Sequence, residues 1–342
     1  MGDVMDTIKE KSGIKITSVN YDSILKDMNH VIDLINTSND PEELLSLYIY
    51  IIGFKHELKY EKAFNNAFSR LSKVISSNGS KWDKINEQQL KYIDAGESAM
   101  YRQMDIPLLI KQQRQIDDFF KNSYYDIKDY TKLSDKEIYN LLHSFYISKG
   151  DTQSLLILEL LLLKKNIIEI GKDGALGEAV FTNYSDNQYI KLQRNHNFLD
   201  AVSLVHEIAH IKYYFLALKD RNPIDINKFY YIKQFIEAYP KYQEQAFCNY
   251  LLSKNIYLED VRHYLLQDLY SHGKRIEKFL DKNNLSTYRV VDGKIGADLL
   301  IQSGMDDDII RKSGNQEFYS KNFTDLDRDS LISFDIDTIK KI

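Results

Sequence analysis

The chain is 342 residues long with a mass of 40.1 kDa, enough for two domains at about 100–200 residues each. Hydrophobic residues make up 43% and charged residues 28%, which argues against disordered, collagen-like and coiled-coil classes. A net charge of −5 and a pI near 5.9 leave no global basic footprint, so no nucleic-acid partner is expected.

Four prolines and 14 glycines allow few tight turns, so long helices are expected rather than a sandwich or barrel. From Tyr21 to about Lys121 the pattern reads as helices. Asp40, Pro41, Glu42 and Glu43 form a start signal: an Asp cap, a proline whose missing N–H costs nothing, and acids at the positive helix end. Leu44, Leu45, Leu47, Tyr48 and Ile51 then recur at helical spacing. Polar stretches follow at Ser76–Ser80 and Tyr124–Ser134, the second leading into a helix over Ser134–Ser148. Lys149-Gly150-Asp151 is the weakest point, and it divides the chain into a helical N-terminal lobe, residues 1–150, and a second unit, residues 151–342. The most apolar run, Leu155–Leu163, contains Glu159 and falls well short of the ~20 residues a bilayer demands. It reads as a buried helix, and no membrane partner is expected.

Gly171, Gly174 and Gly177 then punctuate the chain, and Glu178–Tyr184 and Gln188–Gln193 alternate as two strands. Asn197–Asp200 offers a cap for a helix of about twenty residues, on which Ala201, Val202, Leu204, Val205, Ile208 and Ile211 recur. The expected fold is therefore mostly α, with a small glycine-punctuated β-hairpin or sheet ahead of that helix. Cys248 is the single cysteine, which excludes an internal disulfide and any CxxC cluster and fits a reducing cytoplasm. Met1–Gly13 alternates in charge without an apolar core, so no secretory signal is expected.

A metal site in such a chain must use His, Asp or Glu, and the long helix supplies them as His206-Glu207-Ile208-Ala209-His210. Histidines at i and i+4 stand one turn apart on one face, so both imidazoles reach one ion, and Glu207 sits where it can take a proton from a metal-bound water. With eight histidines in 342 residues, this pentapeptide arises by accident in roughly one chain of this composition in a hundred. His56-Glu57-Leu58-Lys59-Tyr60 begins the same way but lacks the second histidine, and reads as a charged helix face. A catalytic zinc takes three protein ligands and keeps a place for water, so one ligand must come from elsewhere. Downstream, Glu237 and Glu244 lie about two helical turns apart, on roughly the same face. Glu237 suits the metal, and Glu244 suits an outer position, accepting a hydrogen bond from a ligand imidazole.

His206-Glu207-x-x-His210, with Phe235-Ile236-Glu237-Ala238 and then Glu244 downstream, resembles the thimet oligopeptidase and oligoendopeptidase F family of zinc metallopeptidases. That family carries HExGH and a glutamate ligand in a segment like F-x-E-x-x-S-x-x-x-E. Asn187–Leu192, Asp200–Val205 and Glu244–Leu252 are similar to the flanking family segments, so the likeness covers residues of about 170–255. Ala209 replaces the family glycine, Tyr239-Pro240 falls near the family serine, Tyr213 stands where a third histidine is often found, and a proline inside this helix is expected to kink it. The chain is little more than half the usual family length. The resemblance implies a zincin-like helical metallopeptidase with a reduced N-terminal lobe and one Zn2+ ion. It also implies oxyanion donors from a C-terminal segment, with Tyr288 of Thr287–Ala297 as the candidate and His272 as the alternative.

The function expected is that of a zinc endopeptidase cutting short, extended peptides, with His206, His210 and Glu237 holding the metal and Glu207 as base. The strand near Gln188–Gln193 is expected to pair with the peptide backbone. The alternatives are a maturation or toxin-type protease with one dedicated protein substrate, and an inactive binding protein that kept the fold. Oligomeric state is not legible in the sequence.

Overall fold

A computed structural model describes residues 14–19, 21–52, 54, 61–103, 106–121, 129–170, 176–182, 187–218, 237–282 and 336–340. Its described part is mostly helical with one small sheet, as the composition implies. The first four helices among the described residues are α1 (Tyr21–Thr37), α2 (Pro41–Ile52), α3 (Glu61–Ser76) and α4 (Gly79–Gln103). The start signal of α2 acts as the sequence predicts: Pro41 is its first residue, and the Asp40 carboxylate accepts a hydrogen bond from the Glu42 amide at 2.9 Å. Leu44, Leu45, Leu47 and Ile51 face inward with Met28, Ile32 and Ile85, forming a hydrophobic cluster built from residues 24–85. Buried Lys81 closes the end of α1 by donating to the carbonyls of Ile35, Asn36 and Ser38 at 2.6–2.8 Å, supplying the donors that the last carbonyls of a helix lack.

A second cluster gathers the rest around helix α8 (Phe198–Tyr213). Helix α5 (Ile106–Lys121) packs against α10 (Leu258–Lys282), while α6 (Asp135–Lys149) and α7 (Thr152–Leu163) pack against α8. A capping box of Ser134 and Glu137 starts α6, and Gly150, at φ 65° in the left-handed region, ends it. The Gly150 turn, where the sequence marks a lobe boundary, joins two helices of this same cluster. Asp151 caps α7, and Leu156, Ile157, Leu158 and Leu161 of the apolar run are buried, as expected of a core helix. Among the described residues no helix is long and apolar enough to cross a membrane.

The sheet departs from the expected pair of strands. Among the described residues it has three: β1 (Ile167–Ile170), β2 (Gly177–Thr182) and β3 (Asn187–Gln193), in the order β1-β3-β2. Strand β1, four residues without room to display a period, gives no signal that separates it from the apolar helix just before it. Strand β3 runs parallel to β1 and antiparallel to β2, with Ile190 between Ile167 and Ala179. Both its edges are therefore used, and it cannot pair with a peptide as the sequence reading proposed. The strand at the sheet edge nearer α8 is β2, which packs directly on that helix. Gly171, Gly174 and the end of the expected strand at Tyr184 lie outside the described residues, as does His56–Tyr60.

Candidate metal centre

The Asn197 side chain caps α8 by accepting from the Leu199 amide at 3.0 Å, and buried Asp200 accepts from the amides of Asn195 and His196. These contacts fix the turn that delivers β3 into the helix. Val205, Ile208, Ala209 and Ile211 are sunk in the core, so the methyl of Ala209 is accommodated inside it. Lys212 anchors the far end of α8 to the cap of α7, its ammonium 3.0 Å from both Asp151 oxygens, with both side chains largely out of solvent. After Tyr213 the helix loosens into a π turn, Tyr214–Leu218, completing roughly the length the periodicity predicts.

The helix so held presents His206 and His210 to Glu237, at the start of α9 (Ala238–Lys254). The Nε2 atoms of His206 and His210 are 3.0 Å apart. Glu237 Oε2 lies 3.3 Å from the first and 3.6 Å from the second. Zinc bonded at about 2.0–2.1 Å in a tetrahedron holds its ligand atoms about 3.3 Å apart, so these edges frame the base of such a site. The two nitrogens and one carboxylate oxygen also have the donor chemistry that divalent zinc accepts.

Glu244 stands behind this trio. Its Oε1 is 2.5 Å from Nδ1 of His206, while its Oε2 accepts from Lys241 at 2.8 Å and from the Tyr264 hydroxyl. With Nδ1–H donated to Glu244, the Nε2 lone pair of His206 is turned toward His210 and Glu237, the orientation a metal ligand requires. Pro240 does not kink the helix as expected. Helix α9 begins at Ala238, so Pro240 falls in its first turn, where an N–H has no acceptor within the helix. The unbroken helix from Ala238 then carries Glu244 to His206.

Glu207 reaches toward β2. The Ala179 amide hydrogen-bonds its carboxylate, and Gly177 leaves it room: a Cβ on Gly177 would stand 2.7 Å from Oε1 and 2.9 Å from Cγ of Glu207. Burial pushes the Glu207 carboxyl above the usual carboxylate range, against the pull of the two imidazoles. A raised carboxyl is a stronger base, and it opens onto a cavity of about 380 Å3 that Gly177 and His206 also line. Burial disfavours the cation of His206, yet the Glu244 and Glu237 carboxylates push it up to about 10. Burial likewise opposes the charge on Glu237, but the His210 and His206 imidazoles hold its carboxyl well below the usual range. Two carboxylates thus converge on the His206 and His210 imidazoles, and the cluster is net negative when both rings are neutral.

The structure brings His206, Glu207, His210, Glu237 and Glu244 together, as the motif spacing implies. Tyr288 and the rest of Thr287–Ala297 lie outside the described residues. His272 is buried at 1% exposure on α10 and does not line the cavity beside Glu207. The sequence reading missed Lys241 and Tyr264, which no spacing marks, and treated Gly177 as punctuation when its missing Cβ makes room for Glu207. No protein-family model, curated protein or solved structure matches the chain.

Proposed function

We propose that the chain is a zinc-dependent endopeptidase of zincin-like build that hydrolyses short peptides in the cytoplasm. The observation that carries this reading is the His206, His210 and Glu237 trio at tetrahedral edge lengths, with the buried base Glu207 beside it. His206, His210 and Glu237 would hold the ion. A zinc ion bound there supplies a Lewis acid and lowers the pKa of water toward neutrality.

The remaining work falls to the chain's own residues. Glu207 takes the proton from the water that attacks the carbonyl carbon, then delivers it to the amine as the C–N bond breaks. Glu244 keeps His206 in the tautomer that leaves Nε2 free, and Lys241 and Tyr264 keep Glu244 ionised and aimed. Strand β2, in place of β3, has no strand on its outer side among the described residues and offers that side to an extended peptide beside Glu207. Cys248, buried and unbridged, suits a reducing compartment.

The test is a mixed peptide library incubated with protein purified without chelator. Cleavage of short peptides is expected, abolished by 1,10-phenanthroline and restored by zinc, with folded proteins left intact. Cleavage that ignores the chelator, or no cleavage of any peptide, would sink the reading.

The clearance at Gly177 yields a second expectation. In Gly177→Ala the new methyl turns the Glu207 carboxylate aside, since a flexible side-chain end yields before the backbone does. Hydrolysis should fall by up to about a hundredfold, with metal content and thermal unfolding unchanged. A variant with wild-type kcat would show that the base needs no such clearance.

A further inference from the structure

Helix α10 lends one face to the cavity beside the metal ligands: Tyr264, Gln267, Asp268, Ser271 and Arg275 recur at three- and four-residue spacing along its wall. Gly177 and Glu207 line it too, so the cavity opens on the side where the base stands. Its charges are unevenly matched. Lys241 is held by Glu244 at 2.8 Å and by Asp268 at 3.2 Å. Arg275, half-buried on the same wall, has no carboxylate in ion-pair reach among the described residues. A guanidinium partly withdrawn from water presents a planar fork of donors that fits a carboxylate in two parallel hydrogen bonds.

We propose that Arg275 forms a carboxylate subsite of this cavity and selects peptides bearing an acidic group. The inference rests on the peptidase reading for its ligand class, though its atoms are separate from the metal ligands. Arg275 lies about three turns, roughly 16 Å, along α10 from Tyr264, whose hydroxyl touches Glu244. An extended peptide covers that length in about five residues, so a hexapeptide bound in the cavity is long enough to bring a carboxylate to Arg275. That carboxylate is either the peptide's C-terminus or an Asp or Glu side chain.

Calorimetric titration of Glu207→Gln protein, in which peptides stay intact, separates these sources. The probes are an N-acetylated alanine-rich hexapeptide with a free C-terminus, its C-terminal amide, and amides with one glutamate placed at successive positions. At least one carboxylate-bearing peptide is expected to bind about tenfold tighter than the neutral amide. The free acid identifies the C-terminus as the ligand, and a glutamate-bearing amide identifies a side chain. Adding Arg275→Gln should erase the preference with thermal unfolding unchanged, and Arg275→Lys should restore part of it. Equal binding of neutral and acidic peptides, binding of none, or an Arg275→Gln loss shared by the neutral peptide would overturn the subsite. If the charge preference holds while the wild-type protein cleaves no peptide, the subsite stands and the peptidase reading falls. Cleavage without charge preference has the opposite meaning.

Discussion

Replacing Glu207 with glutamine should lower peptide hydrolysis by about a thousandfold while leaving the metal in place, since a positioned base contributes about 10²–10⁴ to the rate. The amide has nearly the shape of the carboxylate, so the packing against Gly177 is kept. What it loses is the ability to take a proton. The side chain is buried and its carboxyl is raised, so a neutral replacement also removes the cost of desolvating a charge. The folded chain should consequently be as stable as the wild type or slightly more so. Measuring kcat/KM on the best library peptide together with zinc content decides the matter. Cleavage at the wild-type rate would remove Glu207 from the mechanism.

Loss of a ligand should act at a different point. In His210→Ala the trio is reduced to His206 and Glu237, and stoichiometric zinc binding is expected to disappear along with hydrolysis. Glu244→Gln leaves all three ligands but exchanges the anionic acceptor of the His206 Nδ1–H for a neutral amide oxygen, a weaker acceptor. It also removes one of the two carboxylate partners of Lys241. Zinc affinity should then fall by about 10- to 100-fold, the usual cost of removing an outer-shell partner, so that activity returns when excess zinc is added. Competition with a chromophoric chelator gives both affinities. A Glu244→Gln protein that binds zinc as tightly as wild type would mean that the 2.5 Å contact orients nothing of consequence.

How much of this was legible follows from the range of the interactions. The pentapeptide on α8 needs only helical periodicity to place His206 and His210 together, and the cap at Asn197 is a local signal. Glu237 and Glu244 could be named from their seven-residue spacing, because Glu237 is the N-cap residue of α9, Glu244 lies two turns into it, and α9 packs on α8. The expected kink failed because a proline's effect depends on its distance from the helix start. That start, at Ala238, was not marked by any cap residue of the usual kind, for Glu237 makes no side-chain cap bond. The peptide-pairing strand was misassigned because strand order is a tertiary property: β3 is central, with Tyr189, Ile190 and Leu192 fully buried, and its sequence does not tell it from an edge strand. Tyr264 reaches Glu244 from another helix, and Gly177 matters through an atom it lacks. Neither leaves a periodic trace in the sequence.

The central claim is that His206, His210 and Glu237 form one metal site, and zinc stoichiometry tests it most directly. The measurement is elemental analysis of protein purified without chelator, comparing the wild type with a His206→Ala/His210→Ala double variant of matched thermal unfolding. The account expects about one zinc per wild-type chain and none in the variant. A wild type without stoichiometric metal, or a double variant that retains it, would contradict the account.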